Sequence, residues 1–181
     1  MHTSRFKAYV QLMRFPLVFT VWADALTGYF LACHTGLKPA ESLDVAVMLA
    51  VAAGLYWGGM MLNDCFDYEA AKEHGRHKAL PASLVSATSA FATAFLLILV
   101  ALGGAFLFSR WAGTVGVAVA LLLVVYAAIT KDVPYLGAAN MAVARGCNIL
   151  MGLAFAHVRG PLIEHTVLLG PSPRWWDTSS S

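Results

Sequence analysis

Acidic residues cluster where an apolar stretch ends, in residues 60–80, which read MMLNDCFDYEAAKEHGRHKAL. If the chain is helical there, Asn63, Asp64 and Asp67 project from one face, because residues three and four apart are neighbours on a helix. Carboxylate and amide oxygens are ligands that a hard cation prefers, and Mg²⁺ commonly binds carboxylates together with substrate phosphates. The spacing fits an Mg²⁺ site for a diphosphate-bearing substrate, and it fits equally the start of an ordinary solvated loop.

An apolar wall below the acids favours a binding site. Trp57, Met61 and Asp64 recur at i, i+4 and i+7, so an aromatic ring and a thioether are predicted on the acid side of the helix. A polar lip above an apolar wall is what an isoprenoid diphosphate requires. The common alternative for Trp57 is a side chain that faces lipid or a neighbouring helix.

Basic residues supply a second element of such a site. Arg76, Lys78 and Lys131 are predicted on the same side of the apolar segments as the acids, where they would hold the phosphate oxygens of a departing group. A general excess of basic residues on that side would explain the same positions without a substrate. His74 and His77 are three apart, but their loop offers no other fixed ligand, so we interpret them as solvated.

Arg145 lies about midway along a long apolar stretch, which is costly for an arginine unless it faces a partner or a wet cavity. Asn148 follows one turn later, at i+3, and Asp24 in the first apolar stretch is the candidate partner. We therefore predict an ion pair or a substrate contact at Arg145, with Asn148 beside it.

The composition is that of an integral membrane protein. Of 181 residues, 59% are hydrophobic and 12% are charged, and the mean hydropathy is +0.68. Five apolar stretches are long enough to cross a hydrocarbon core of about 30 Å as helices, at about 15–33, 45–62, 85–108, 111–129 and 135–158. The predicted fold class is all-α, a polytopic transmembrane helix bundle of about five spans.

Small residues along these stretches predict close contacts between helices. Gly54 and Gly58 form a G-x-x-x-G face on the second stretch. Four further glycines are expected to serve the same purpose around the third and fourth stretches: Gly103, Gly104, Gly113 and Gly116.

The distribution of charge predicts location and partners. Most basic residues near the ends of the stretches fall on one side, which places the N-terminus in the cytoplasm of a multi-pass protein, and we expect a bacterial inner membrane. The net charge of +2 is too small to indicate nucleic-acid binding. Residues 1–158 are predicted to form one transmembrane domain, and 159–181 a partly disordered tail.

Three segments resemble the UbiA superfamily of intramembrane prenyltransferases. NDCFDYEAA followed by RHKALPASLVS is similar to the family's first aspartate-rich motif, N-D-x-x-D-x-x-x-D, with its basic trailing loop. MRFPLVFTVWADALTGYFLA is similar to the family's first helix, and YAAITKDVPYLGAANMAVARGCNILMG to the region of its fourth and fifth helices. The resemblance covers about residues 13–152.

The resemblance implies a ring of roughly nine helices around a lipid-open cavity. In that family, Mg²⁺ held by two aspartate-rich motifs binds an allylic isoprenoid diphosphate, whose ionisation gives a carbocation-like species that alkylates a lipophilic acceptor. By this resemblance Asn63, Asp64 and Asp67 would be metal-linked, with the two aspartates catalytic. Lys78 and Lys131 match basic positions that face the diphosphate, and Arg76 lies beside the first of them.

Two departures from the family pattern leave the activity open. The last aspartate of the motif falls at Ala71, and the chain ends after the fifth stretch, before the second aspartate-rich motif. We expect a truncated or split member completed by another copy or another chain, or a family-like protein that no longer transfers prenyl groups.

A second resemblance supplies the alternative function. VFTVWADALTGYF and ARGCNILMGLAF are similar to the EboC-like branch, which is associated with moving or processing a biosynthetic precursor at the membrane. The leading hypothesis is an Mg²⁺-dependent prenyltransferase that binds an isoprenoid diphosphate. The alternative is a non-catalytic EboC-like protein for transport or scaffolding.

Overall fold

The computed structural model describes residues 13–35, 41–73, 86–133 and 135–157. Five α-helices and no strand lie within these ranges. They are α1 (Val18–His34), α2 (Ser42–Glu73), α3 (Ala87–Phe108), α4 (Arg110–Ala128) and α5 (Leu136–His157), with short 3₁₀ turns at Phe15–Leu17 and Thr130–Asp132. The all-α prediction is confirmed, and each helix coincides with one of the predicted apolar stretches.

Four of the five helices are long and apolar enough to cross a membrane, at Ser42–Tyr68, Ala87–Phe108, Arg110–Ala128 and Leu136–Ala156. Helix α1 has 17 residues, fewer than the roughly 20 that a perpendicular span needs. Helix α2 has 32 residues and continues through the acidic motif, so the prediction that this motif is helical is confirmed. Large apolar side chains remain exposed around the bundle, as expected for contact with lipid: Phe95, Leu99, Trp111, Leu121 and Leu150.

The bundle closes on itself, because the first and last described helices are in contact. Helix α1 packs on α2 and α5, while α4 packs on α3 and α5 and also reaches α2. The contact of α1 with α5 is a direct approach of two backbones. A Cβ atom on Gly28 would lie 1.9 Å from the Ile149 carbonyl oxygen, and one on Gly152 would lie 2.0 Å from the Ala25 carbonyl oxygen. Only glycine permits this separation at either position.

The predicted G-x-x-x-G contact is confirmed on α2. A Cβ atom on Gly58 would lie 2.6 Å from Ile98 and 2.9 Å from the Ala94 carbonyl oxygen, and one on Gly54 would lie 2.9 Å from the Ala101 side chain. The face of α2 that carries Gly54 and Gly58 therefore packs closely on α3, and the other faces of α2 contact the remaining helices.

The glycines of α3 and α4 agree with the packing prediction only in part. A Cβ atom on Gly113 would lie 2.3 Å from the Phe106 ring, and one on Gly116 would lie 3.2 Å from Leu102. A Cβ atom on Gly103 would have no atom of the described residues within 4 Å, so the prediction that Gly103 permits a close helix contact was wrong. Its position on α3 faces outward, where nothing in the bundle constrains the size of the side chain.

Candidate functional site

The acidic face of α2 meets two cations from other parts of the chain. Arg14 Nη2 donates to Asp64 Oδ1 at 3.1 Å, and Lys131 Nζ donates to Asp67 Oδ1. Asn63 is buried, and its Oδ1 has no hydrogen-bond partner among the described residues. The structure thus gathers Asn63, Asp64, Asp67 and Lys131, which the sequence predicted together, at the end of α2.

Arg14 belongs to this group as well, although the sequence reasoning assigned it no site role. Arg14 directly precedes the Phe15–Leu17 turn, and its φ of 46° is a backbone conformation that non-glycine residues adopt uncommonly. Its carbonyl oxygen accepts a hydrogen bond from Leu17 N at 2.9 Å. This turn brings Arg14 to a residue of α2 that is 50 positions away in the sequence. The available signal was the Arg14-Phe15-Pro16 sequence, which directly precedes the first helix within the segment that resembles the family.

Lys131 is positioned by the turn between α4 and α5. Asn140, in the first part of α5, donates through Nδ2 to the Leu122 carbonyl oxygen at 2.9 Å and to Thr130 Oγ1 at 3.3 Å. These two bonds fasten the turn to the end of α4 and the beginning of α5. The Lys131 side chain is mostly buried, with 14% of its surface exposed, so its approach to Asp67 is set by packed neighbours.

The oxygen groups at the end of α2 resemble a partial site for a hard cation. Two carboxylates and one amide oxygen are suitable donors, but no group of three His, Cys, Asp or Glu side chains that could hold a metal occurs in the described part of the chain. An ion bound here would therefore depend on Asn63 and on oxygens from a substrate.

A cavity of about 100 Å³ lies between α1, α2, α4 and α5. Ala52, Tyr56 and Met60 line it from α2, and Tyr56, Met60 and Asp64 follow one another at i, i+4 and i+8 on one face of that helix. The cavity therefore continues the acidic face into the apolar part of the bundle.

The predicted apolar wall is present, but two residues were wrongly assigned to it. Trp57 and Met61 do not line the cavity; Trp57 packs on the cluster that contains Val18, and Met61 is fully buried in the main core. Tyr56 and Met60 take their places, one residue earlier along α2. One residue corresponds to a rotation of about 100° around the helix, which is enough to exchange one face for the next.

The predicted partnership of Arg145 with Asp24 is confirmed. Arg145 Nε donates to Asp24 Oδ2 at 2.9 Å, and Nη2 donates to Oδ1 at 2.9 Å, so the pair is bidentate. The Asp24 side chain is only 12% exposed, whereas that of Arg145 is 61% exposed. Asn148 donates through Nδ2 to the Val21 carbonyl oxygen at 2.7 Å, and all three polar residues line the cavity.

Several sequence predictions fall on residues outside the described ranges. These are the phosphate contacts of Arg76 and Lys78, the solvated His74 and His77, and the tail at 159–181. They stay predictions.

Comparison with known proteins identifies the family. The UbiA prenyltransferase family matches residues 17–176, which is most of the chain. The chain therefore belongs to the UbiA prenyltransferase family, and together with its four apolar helices this makes it an integral membrane protein.

The chain is similar to several curated digeranylgeranylglyceryl phosphate synthases. That of Methanoculleus marisnigri is 29% identical over 153 residues, covering 84% of this chain and 53% of the relative. That of Methanoregula boonei is 31% identical over 132 residues, covering 73% and 46%. That of Methanococcoides burtonii is 26% identical over 159 residues, covering 85% and 57%. The chain thus spans about half the length of these relatives.

A solved structure supports the same fold. It was reported for digeranylgeranylglyceryl phosphate synthase in membranes, and it superposes with a TM-score of 0.71 at 20% sequence identity. The match covers 89% of this chain and 56% of that one. The helical arrangement described above is therefore that of a UbiA-type membrane protein.

Proposed function

We propose that this chain is an Mg²⁺-dependent membrane prenyltransferase. It binds an isoprenoid diphosphate at Asn63, Asp64 and Asp67 and transfers the prenyl group to a lipophilic acceptor. One observation carries the proposal: two aspartates on one face of α2 meet Arg14 and Lys131 directly above a cavity lined mostly by apolar side chains. Polar groups that match a diphosphate and an apolar space that can receive the allylic end of a prenyl chain are thereby adjacent.

The residues present fit Mg²⁺. The buried, unpartnered Oδ1 of Asn63 and the carboxylates of Asp64 and Asp67 are hard oxygen donors at one end of α2, and these three residues would hold the ion. When bound, Mg²⁺ neutralises charge that develops on a departing diphosphate.

Arg14 and Lys131 act as substrate-binding residues in this proposal. Their cationic groups already lie at the carboxylates, and a guanidinium or an ammonium group can bind phosphate oxygens through charge-assisted hydrogen bonds. Pairing with the aspartates keeps both cations aimed at the site before a substrate arrives. An anionic diphosphate would then meet two positive groups at the acidic face of α2.

The chemical step requires a positioned donor and a dry environment. The bond between the allylic carbon and the diphosphate oxygen breaks, and the diphosphate leaves with the electron pair. The acceptor then forms a bond to that carbon and releases its proton. Leu55, Met60 and Leu123 line the cavity with apolar surface, which would keep water away from the carbocation-like carbon.

The relatives indicate which donor to test first. Their name describes a product with two geranylgeranyl groups on a glyceryl phosphate, so geranylgeranyl diphosphate is the first choice. Arg145 and Asn148 remain predicted substrate contacts in the cavity. A homo-oligomer or a complementing chain and the EboC-like interpretation also remain predictions.

The proposal is tested by product formation in membranes that contain the chain, Mg²⁺ and labelled geranylgeranyl diphosphate with a set of lipophilic acceptors. Asp64→Asn and Asp67→Asn should lower product formation by about 100-fold or more, because each removes charge where the transition state needs it. Asp132→Asn is the matched control, since Asp132 is exposed on the turn that carries Lys131. Circular dichroism establishes that each variant is folded.

Absence of turnover by the unmutated chain, with several donors and acceptors, would overturn the enzymatic proposal. If Mg²⁺-dependent binding of the diphosphate persisted without turnover, the result would favour the non-catalytic EboC-like alternative.

We propose that the N-terminus faces the cytoplasm, and cysteine labelling tests this orientation. In a cysteine-free background, Asp132→Cys lies at the end of the bundle that carries the acids, and Thr35→Cys lies at the opposite end of α1. A membrane-impermeant maleimide applied to intact cells should label the cysteine at position 35, and should label that at 132 only after permeabilisation. The reverse pattern would invert the proposed orientation.

A further inference from the structure

The two carboxylates at the acidic end of α2 are each paired with a cation of the chain itself. Arg14 Nη2 donates to Asp64 Oδ1 at 3.1 Å, and Lys131 Nζ donates to Asp67 Oδ1. These are the carboxylates that the proposed function assigns to Mg²⁺. Because a metal ion and a side-chain cation on the same carboxylate repel each other, the two ion pairs oppose the binding of a metal ion.

Burial makes this opposition effective. One side chain of each pair is mostly enclosed: that of Asp64 is 15% exposed, and that of Lys131 is 14% exposed. Enclosed charges are screened less by water and salt than charges on an open surface. A cation that enters the site therefore competes with contacts that are stronger than ordinary surface ion pairs.

Asn63 supplies an oxygen that lies outside these pairs. Its side chain is buried, and its Oδ1 has no hydrogen-bond partner among the described residues. An amide oxygen can ligate a hard cation, but the affinity of such a site depends on how many of its ligands are charged. Tight binding of a metal ion at the end of α2 therefore requires the release of Asp64 and Asp67 from their cations.

Charge balance determines which ligand can release them. The charges of the two carboxylates and their two cations cancel, so a divalent ion alone would add an excess of positive charge, and a diphosphate alone an excess of negative charge. When both bind, their charges largely cancel. The phosphate oxygens then accept the hydrogen bonds that Arg14 and Lys131 donate to the aspartates. Each ligand thereby removes the obstacle to the other.

The placement of the two cations favours a ligand with two phosphoryl groups. Asp64 and Asp67 are three residues apart on one face of α2, so Arg14 and Lys131 end at neighbouring points on that face. Two linked phosphoryl groups can accept from both cations, whereas a single phosphoryl group is expected to release only one carboxylate.

The two cations differ in their freedom to change partners. The Arg14 side chain is 46% exposed, and Val18, four residues later, is fully buried in an apolar cluster that fixes the beginning of α1. Arg14 can therefore move from Asp64 to a phosphate oxygen by rotation of its side chain alone. Lys131 is enclosed, so its new partner has to come to it.

We propose that the pair of Arg14 with Asp64 and the pair of Lys131 with Asp67 form an interlock, which makes the binding of a divalent ion conditional on a diphosphate. The identity of the two ligands rests on the proposed function, but the interlock itself concerns binding and needs no prenyl transfer. Arg14 and Lys131 thus have a second role, because they prevent a metal ion from taking the carboxylates on its own.

Retention of Mn²⁺ by the full chain tests the interlock, in nanodiscs of neutral phosphatidylcholine that are separated from free ions by centrifugal filtration. Mn²⁺ alone should bind the unmutated chain weakly. Arg14→Gln and Lys131→Met should each raise its affinity about tenfold, because each releases one carboxylate. Adding Asp64→Asn to Arg14→Gln should abolish the gain, which locates the bound ion at the end of α2.

Two control variants separate the interlock from a general effect of charge. Arg14→Lys keeps a cation that can pair with Asp64, so its affinity for Mn²⁺ alone should stay as low as that of the unmutated chain. Arg110→Gln removes one positive charge at the far end of α4 and should change nothing. Circular dichroism establishes that each variant is folded.

Inorganic pyrophosphate supplies the second half of the test. Its soluble complex with Mn²⁺ passes the filter, so retained Mn²⁺ is bound to the chain. Pyrophosphate should tighten the binding of Mn²⁺ to the unmutated chain about tenfold or more, and orthophosphate should do so much less. In the double variant Arg14→Gln with Lys131→Met, pyrophosphate should add little.

Tight binding of Mn²⁺ alone by the unmutated chain, or no gain of affinity in either single variant, would overturn the interlock. Equal effects of pyrophosphate and orthophosphate would do the same. No retention of Mn²⁺ under any condition would overturn both the interlock and the proposed metal site. Prenyl transfer is measured separately: an interlock without turnover refutes only the enzymatic function, and turnover by a chain that binds Mn²⁺ tightly without a diphosphate refutes only the interlock.

Discussion

Gly152 controls the distance between α1 and α5, and Gly152→Ala should destabilise the bundle while Gly146→Ala on the same helix should not. A Cβ atom at 152 would lie 2.0 Å from the Ala25 carbonyl oxygen and 2.9 Å from Tyr29 N. At Gly146 no atom of the described residues lies within 4 Å of the new Cβ. Because both changes add one methyl group to α5, their difference reports the contact and cancels helix propensity.

The size of the effect follows from these distances. Ordinary contact begins near 3.4 Å, so the two helices would have to separate by roughly 1.4 Å, and the opposing atoms are backbone that cannot turn aside. Overpacking of a core costs about 1–3 kcal/mol, and a contact with rigid backbone belongs at the upper end. Gly146→Ala should instead be neutral or stabilising by up to about 1 kcal/mol, because alanine favours a helix.

Thermal unfolding of both variants in the same detergent measures the difference. Gly152→Ala should melt about 5–10 °C below Gly146→Ala, given about 2–4 °C per kcal/mol for a chain of this size. Equal melting temperatures would refute the close packing of α1 on α5.

Three further substitutions test the charged contacts. Arg14→Gln and Lys131→Met should each weaken Mg²⁺-dependent binding of a prenyl diphosphate about tenfold, measured by calorimetry in nanodiscs. Arg110→Gln, at the far end of α4, is the control and should leave this binding unchanged. If the control weakened binding as much as the other two, the effect would be only a general loss of charge. Arg145→Met should lower the yield of folded chain in size-exclusion chromatography, because it leaves Asp24 unpaired. The exchanged pair, Asp24→Arg with Arg145→Asp, should recover that yield, and a double variant no better than the single one would contradict the pairing.

Local periodicity and the cost of isolated charge made part of this structure predictable. The acids of α2 share a face because a helix places residues three and four apart together, and the small face at Gly54 and Gly58 follows from the same rule. Arg145 required a partner at membrane depth, and Asp24 was the acidic residue of another apolar stretch. These inferences needed no knowledge of how the helices pack.

Features that depend on packing were not accessible from the sequence. In a helix that is apolar on all sides, hydrophobic periodicity cannot decide whether Tyr56 or Trp57 faces the cavity. The pairing of Arg14 with Asp64 joins residues 50 positions apart through an unusual backbone turn. The approach of Gly28 to α5 likewise depends on the position of a distant helix, which no local pattern specifies.

The proposed function requires that Asn63, Asp64 and Asp67 hold a divalent ion together with an isoprenoid diphosphate. Electron paramagnetic resonance with Mn²⁺ in place of Mg²⁺, and with geranylgeranyl thiodiphosphate as an unreactive donor, tests it most directly. A bound Mn²⁺ signal coupled to phosphorus should appear only with the donor, should be lost in Asp67→Asn and should persist in Asp132→Asn. A signal of equal strength in both variants, or no bound Mn²⁺ in the unmutated chain, would contradict it.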